Sequence, residues 1–386
     1  MKRRSYRVYI LSLILMLSGI FFQALLIGGH IPFFHLSSLH PRSPAAIAFA
    51  TRVAERDLNA SPEVRLRRPA FQTGMIFPQW GTNAYDTTDA NWQIGLHDIA
   101  TQTGAQWIEL PINFYQSSVT STQVTTTSIT PTPQAMAAGI SAARAKHFQV
   151  FVVPLLSAGG TLTWSGSIQF ADPRLLQTWF DSYWQALKPY AIAAAQAGAE
   201  QLAIGTELEK LQYIQPSYWN QLIERVHQVF PGQLTYDINW SSLYNPIPSW
   251  MSSPLLTTIG VSEYIPLTDT QQRLDPAILP SLWRANIEKL LDALAQKIGH
   301  PVIISEIGYR DSAYALYRPW QRDAIAQAEP PDTQEQAAAY DAALRDVLTD
   351  KNITGIYFWA WSVPLFQPNW KPAAKVLFKW YTSPYA

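Results

Sequence analysis

The 386-residue sequence contains no cysteine, which excludes a disulfide framework, a cysteine-ligated metal and thiol redox chemistry. It has no excess of charge either. Its 28 basic side chains balance 28 acidic ones, so nothing marks a polyanionic partner, and nucleic acid is set aside. The 7 histidines form no ligand pattern such as His-Glu-x-x-His, so neither a metal nor another cofactor is expected. No glycine-rich phosphate turn supports a dinucleotide-binding sheet. The absence of cysteine fits an extracytoplasmic protein without establishing one.

What is present is apolar and aromatic. A hydrophobic content of 48% allows a sizeable core. The 15 Trp and 18 Tyr have two readings, core packing or flat platforms for the C–H faces of sugars, and composition does not separate them. At the N-terminus, Lys2, Arg3, Arg4 and Arg7 precede an apolar run from Val8 to about Gly29. A basic flank before a run of roughly 20 apolar residues reads as a membrane-targeting segment with its N-terminus inside. Residues 1–29 are therefore a signal-anchor or a signal peptide. No small-x-small cleavage site follows, which favours the anchor. The catalytic part would then lie outside the cytoplasm, held at the cell membrane, or be secreted. Residues 30–69 mix Pro, Ser, Arg and Ala and read as a tether ending in Arg65, Arg67 and Arg68.

From residue 70 to 386 strands and helices alternate. Strands are predicted at Phe71–Phe77, Ala105–Ile112, Phe148–Leu156, Gln201–Gly205, Gln233–Asn239, Thr257–Ser262, Val302–Ser305 and Ile353–Trp361. Helical patterns separate nearly all of them, with start signals such as Asp172-Pro173 and stops such as Gly104 and Pro231-Gly232. The fifth helix is the weak point, because Trp240–Leu256 is Pro-rich and admits only a short one. Eight strand–helix units over about 310 residues predict an α/β fold, a closed (β/α)8 TIM barrel, with an open doubly wound sheet as the alternative.

In such a barrel the active site forms where the C-terminal ends of the strands meet their loops. The fourth strand delivers Thr206-Glu207-Leu208-Glu209 there, and the seventh Ser305-Glu306. The other ends bring Trp80, Asn113, Trp164, Asn239, Trp240, Glu263, Tyr264, Trp359 and Trp361. Glutamates on opposing strands suit glycosidic bond cleavage, in which one carboxyl protonates the leaving oxygen and the other attacks the anomeric carbon or activates water. Glu209 and Glu263 read as structural, and Arg310 as a local carboxylate partner. Trp359 and Trp361 alternate along one strand, so one faces the site and the other packs outside; Trp359 is preferred for the site.

The pattern of glutamates ending strands four and seven resembles the retaining clan of barrel glycosidases that includes cellulases and β-mannanases. Within it, Ile204-Gly205-Thr206-Glu207-Leu208 with Ser305-Glu306-Ile307-Gly308-Tyr309-Arg310 resembles glycoside hydrolase family 113, the β-mannanase family. Trp164-Ser165-Gly166-Ser167-Ile168, Gly260 to Leu267 and Phe358-Trp359-Ala360-Trp361 fit the same resemblance, which covers residues 70 to 380. It implies a retaining hydrolase with Glu207 as acid/base, Glu306 as nucleophile and Tyr264 beside it. The implied substrate is a β-linked polysaccharide or oligosaccharide, β-1,4-mannan first. Trp80, Asn113, Trp164, Thr206, Asn239, Trp240, Tyr264 and Trp359 are the candidate substrate-binding residues. Thr206 stands where much of the clan has an Asn that binds the sugar 2-hydroxyl, so either Thr206 makes a weaker contact or Asn239 replaces it. The alternatives are a hydrolase of another β-glycan and a membrane-anchored carbohydrate-binding barrel without catalysis.

Overall fold

The computed structural model describes residues 70–159 and 163–383. The expected membrane segment (1–29) and tether (30–69) lie outside the described residues. Among the described residues no helix is long and apolar enough to cross a membrane.

Eight parallel strands close into a barrel in sequence order. They are β1 (Gln72–Ile76), β2 (Trp107–Gln116), β3 (Gln149–Ala158), β4 (Gln201–Thr206), β5 (Gln233–Asn239), β6 (Ile259–Glu263), β7 (Val302–Ile307) and β8 (Ile353–Phe358). The longer helices between and after them are α1 (Ala90–Thr103), α2 (Pro133–Ala145), α3 (Pro173–Ala197), α4 (Pro216–His227), α5 (Leu279–Trp283 and Lys289–Ile298, joined by a π-helical turn at Arg284–Glu288), α6 (Thr333–Val347) and α7 (Pro372–Thr382), with single turns at Glu209–Gln212 and Ala324–Gln327. Side-chain caps fix the starts of several. Asp89 accepts from Trp92 N–H, Thr132 from Ala135 N–H and Asp172 from Arg174 N–H, so orphan donors of the first turn are satisfied.

Several boundaries depart from expectation, among them the start of β6 at Ile259 and the end of β7 at Ile307. The β5–β6 connection holds only 3₁₀ turns at Trp240–Tyr244 and Ser249–Ser252, because Pro246, Pro248 and Pro254 deny a longer helix its donors. Strands β2 and β3 run past their predicted ends, paired residue for residue from Trp107↔Gln149 to Gln116↔Ala158. Strand β8 stops at Phe358, where the chain turns through a cis Trp359–Ala360 peptide.

Alternation along the strands divides two interiors. Leu202, Ile204, Leu234, Tyr236, Ile238, Val302 and Ile304 join the large apolar layer between barrel and helices. Ile76, Trp107, Phe151, Val153, Ala203, Ile303 and Tyr357 fill the inside of the barrel. At the N-terminal end a polar strut spans it: Gln72 Nε2 donates to Gln201 Oε1 at 2.8 Å, and Tyr357 Oη donates to Gln72 Oε1 at 2.9 Å. This ties β1, β4 and β8 together where no reaction is expected.

The long connection after β7 is organised by Arg310, which is fully buried. Its guanidinium pairs with Glu329 at 2.9 Å and donates to the carbonyls of Arg318 at 2.9 Å and Gln321 at 3.1 Å. The expected local carboxylate partner is thus Glu329, and the pair holds the loop rather than the site. Arg310→Ala leaves Glu329 buried without its counter-charge. It should cost about 3–5 kcal/mol of stability by urea unfolding and expose residues 311–330 to limited proteolysis. Unchanged stability and an unchanged digest would contradict this role.

Candidate active site

Glu207 is the first residue past β4. Its φ of 53° lies in the left-handed region, which costs a non-glycine residue about 1–2 kcal/mol. The conformation is fixed from two sides. The Glu207 N–H donates to Asp237 O at 2.8 Å, and both carboxylate oxygens accept hydrogen bonds, Oε2 from Trp164 Nε1 at 2.7 Å and Oε1 from Asn239 Nδ2 at 2.9 Å. Asn239 is itself oriented, because its Oδ1 accepts from Ser241 N–H, leaving its NH₂ for Glu207.

Glu306 is aimed by a local irregularity. Ile303 lies inside the barrel, whereas Ile304 and Ile307, three residues apart, both lie in the outer layer. Strict alternation would separate outward residues by two, so β7 carries one extra residue, and its register with β8 shifts between Ile304 and Ile307. Ser305 and Glu306 share the extra step, which turns Glu306 to the mouth. Tyr264 Oη then donates to Glu306 Oε1 at 2.6 Å. Gly308 leaves the space for this approach, since a Cβ there would lie 2.8 Å from Trp359 O and 3.3 Å from Tyr264 Oη.

The site is acidic down to its floor. Burial first, then the charge of Glu207, raises the Glu306 pKa to about 7; the Tyr264 hydrogen bond and the Arg322 guanidinium oppose the rise. Beneath it, burial together with Glu306 and Glu207 raises Asp237 to about 8, against the pull of the Ser305 and Thr206 hydroxyls. Burial, then Asp237 and Glu306, pushes Glu109 well above the carboxylate range. The Asp237 carboxyl occupies room that only glycine leaves on β6: a Cβ on Gly260 would lie 1.8 Å from Asp237 Oδ1 and 2.6 Å from Ser305 Oγ.

The structure brings Trp164, Asn239 and Tyr264 directly onto the two glutamates. Trp359 is 8% exposed and packs in the inner cluster with Tyr264, whereas Trp361 belongs to the outer layer. Trp240 stacks on Trp320, with centroids 5.4 Å apart. Asn113 lies on β2, where its Oδ1 accepts from Ser157 Oγ at 3.0 Å. Thr206 is buried and paired with Asp237 across β4 and β5, its hydroxyl beside that carboxyl, so the amide next to Glu207 is that of Asn239. Trp80 stands 46% exposed on the loop after β1, with no described contact to either glutamate. Glu209 accepts from Ser241 Oγ at 3.0 Å, and Glu263 from Ile265 N–H at 2.8 Å, both in bonds that hold loops. Sequence brings Asp237 to the end of the fifth strand without giving it a role, alternating with Thr235 and Asn239, and it offers no sign of Glu109, Trp320 or Arg322.

A family profile of Glycoside Hydrolase Family 113 matches residues 76–382. The chain belongs to glycoside hydrolase family 113. Among solved structures, a GH113 β-1,4-mannanase superposes with a TM-score of 0.68 at 20% identity, covering 81% of this chain and 99% of that one. The GH113 β-mannanase AaManA from Alicyclobacillus acidocaldarius gives 0.68 at 21% identity, with 81% and 98% covered. A family 5 mannosidase from Rhizomucor miehei gives 0.54 at 10% identity, with 81% and 92% covered. At these identities the structures establish a shared barrel. No curated protein sequence matches the chain. As a glycoside hydrolase of family 113, the protein presents Glu207 and Glu306 at the ends of β4 and β7, coupled through their charges.

The coupling has a sign that can be measured. With ¹³C-carboxyl-labelled glutamate, Glu306 should titrate near pH 7 by NMR, well above a free glutamate. Tyr264→Phe removes a donor that favours the charged form, so this titration should move to higher pH. A titration that stays in place or moves down would remove Tyr264 from the electrostatics of the site.

Proposed function

We propose that the protein is a retaining glycoside hydrolase that cleaves a β-linked polysaccharide or oligosaccharide, with β-1,4-mannan as the first substrate class. The observation that carries the reading is the unlike treatment of two coupled glutamates. Glu207 is held by neutral donors from Trp164 and Asn239, and Glu306 by a phenol and a nearby cation. The β-1,4-mannanases among the structural neighbours support the substrate class.

In the first step a Glu306 carboxylate oxygen attacks the anomeric carbon as Glu207 gives its proton to the departing glycosidic oxygen. A glycosyl ester forms and the leaving sugar departs as an alcohol. In the second step Glu207 takes a proton from water, the resulting hydroxide equivalent attacks the same carbon, and Glu306 leaves as carboxylate. Configuration is retained after two inversions. The first step needs Glu306 charged, and the Tyr264 hydrogen bond and the Arg322 guanidinium both favour that form. Tyr264 steadies Glu306 both as attacking and as departing group. Trp359 and the Trp240–Trp320 stack offer apolar ring faces to the sugar.

Glu306→Ala should lower turnover of an activated aryl β-glycoside by about 10³-fold or more. Azide should restore part of it, yielding the α-glycosyl azide. Glu207→Ala with azide should yield the β-glycosyl azide instead. Wild-type-like turnover in Glu306→Ala would overturn the assignment, and a wild type inert on a panel of β-glycans would favour a binding barrel.

We also propose that the catalytic domain works outside the cytoplasm, on the strength of the basic flank and apolar run at residues 2–29. The full-length chain should sediment with membranes and be degraded by protease added to spheroplasts. Recovery in the soluble cytoplasmic fraction would overturn this placement.

A further inference from the structure

The two donors on Glu207 differ in kind. Asn239 belongs to β5 and is braced by Ser241. Trp164 comes from the loop after β3 and is 40% exposed, yet its Nε1 reaches Glu207 Oε2 at 2.7 Å. A 3₁₀ turn at Ser165–Ser167 sets its backbone, with Trp164 O accepting from Ser167 N–H at 3.1 Å. The turn is tied on two sides. Gln169 N–H donates to Val119 O at 3.2 Å, and Lys210 Nζ, just past Glu207 in the chain, donates to Gln169 Oε1 at 3.1 Å. Gly166 leaves room for the ring to fold back over the turn, since a Cβ there would lie 2.5 Å from Trp164 Cζ2 and Cη2. The loop thus aims an indole N–H at one oxygen, whereas a sugar platform needs only an exposed ring face.

An indole N–H can only donate, and so can the Asn239 NH₂. Neither accepts a hydrogen bond from a protonated Glu207, so neither competes with the glycosidic oxygen for the acid proton. Once the proton has moved, the same two donors meet a carboxylate, and hydrogen bonds to a charged acceptor are the stronger ones. A contact that strengthens as the proton leaves accelerates the step instead of merely tightening binding.

We propose that Trp164 is a positioning residue for the acid/base: its Nε1–H orients Glu207 toward the leaving oxygen and stabilises the carboxylate left behind. Its contribution is greatest for leaving groups that cannot depart without a proton. The proposal rests on the glycosidase reading and deepens it.

The test measures kcat/KM of the full chain on aryl β-mannobiosides whose leaving phenols run from 2,4-dinitrophenol to phenol, and on β-1,4-linked mannohexaose. A dinitrophenolate departs unprotonated, and kcat/KM reports the steps up to that departure. Trp164→Phe keeps an aromatic ring and loses the N–H. It should lower kcat/KM by at least about tenfold on the phenyl substrate and on mannohexaose, part of the 10²–10⁴-fold that general acid catalysis typically supplies. On the dinitrophenyl substrate the change should stay within about threefold, because no acid is used there. Gly166→Ala, which displaces the ring while leaving Trp164 in the sequence, should steepen the leaving-group dependence in the same way. In ¹⁵N-indole-labelled protein, the resonance that Trp164→Phe removes should shift in Glu207→Ala. A loss equal across the series, a loss confined to KM on mannohexaose, or no loss overturns the proposal, as does an indole resonance indifferent to Glu207→Ala. The first two would make Trp164 a sugar platform. If wild type cleaves none of these substrates nor any other β-glycan, the glycosidase reading fails and takes this role with it, whereas an active wild type with a flat leaving-group dependence in Trp164→Phe overturns the role alone.

Discussion

Four carboxylates share the inside of one barrel, and they cannot all be charged. Glu109 and Asp237 lie deep and fully buried, with Glu207 and Glu306 above them at the mouth, and each charge there raises the proton affinity of a neighbour. Depth decides which groups yield. Asp237, raised to about 8, favours the neutral acid at pH 7, and burial pushes Glu109 in the same direction. The rest of the site follows from this division. Hydroxyls surround Asp237, while a phenol and a guanidinium attend Glu306. Gly260 is glycine because the neutral floor must fit against Ser305, directly below the reacting residue.

The backbone departs from ideal strand geometry where the chemistry requires it. A regular strand end at β4 would not need a left-handed residue, and a regular β7 would send Glu306 outward on the face of Val302 and Ile304, with Ile307 inward. Each departure costs stability, and each is tied down by neighbours. Glu207 is held through its N–H and both carboxylate oxygens, and Glu306 through Tyr264 and the close approach that Gly308 permits. Mobility at either glutamate would spoil the alignment of attack and protonation, so restraint at the rim is part of the mechanism.

The barrel was legible because its strands are short apolar runs at regular intervals, and the two glutamates because each ends such a run. The limits of legibility are equally physical. The extra residue in β7 is invisible in Val302–Ile307, since a bulge between apolar residues leaves composition unchanged. Asp237 stood in view on β5, yet its task depends on the missing side chain of Gly260 on the next strand, a relation across the sheet that no local pattern records. Beside Glu207 in sequence, Thr206 reads either as a weaker sugar contact or as replaced by Asn239, and the pairing of β4 with β5 sets it beside Asp237. Trp320 and Arg322 sit in a stretch without periodicity, where sequence offers no direction for a side chain.

That last blind spot has a partial key in the sequence itself. The segment Ser305 to Arg310 holds both the reacting carboxylate and the cation that anchors the following loop. Arg310 is buried at a cost that its pair with Glu329 offsets only when the loop folds back, so the ion pair and the loop's return are one event. The return brings Trp320 against Trp240, and the charge of Arg322 favours the ionised form of Glu306. One short motif thus sets the nucleophile's position from the strand side and its electrostatic surroundings from the loop side. A change at Arg310, remote from any sugar, should therefore reach the chemistry by displacing a charge that acts on Glu306.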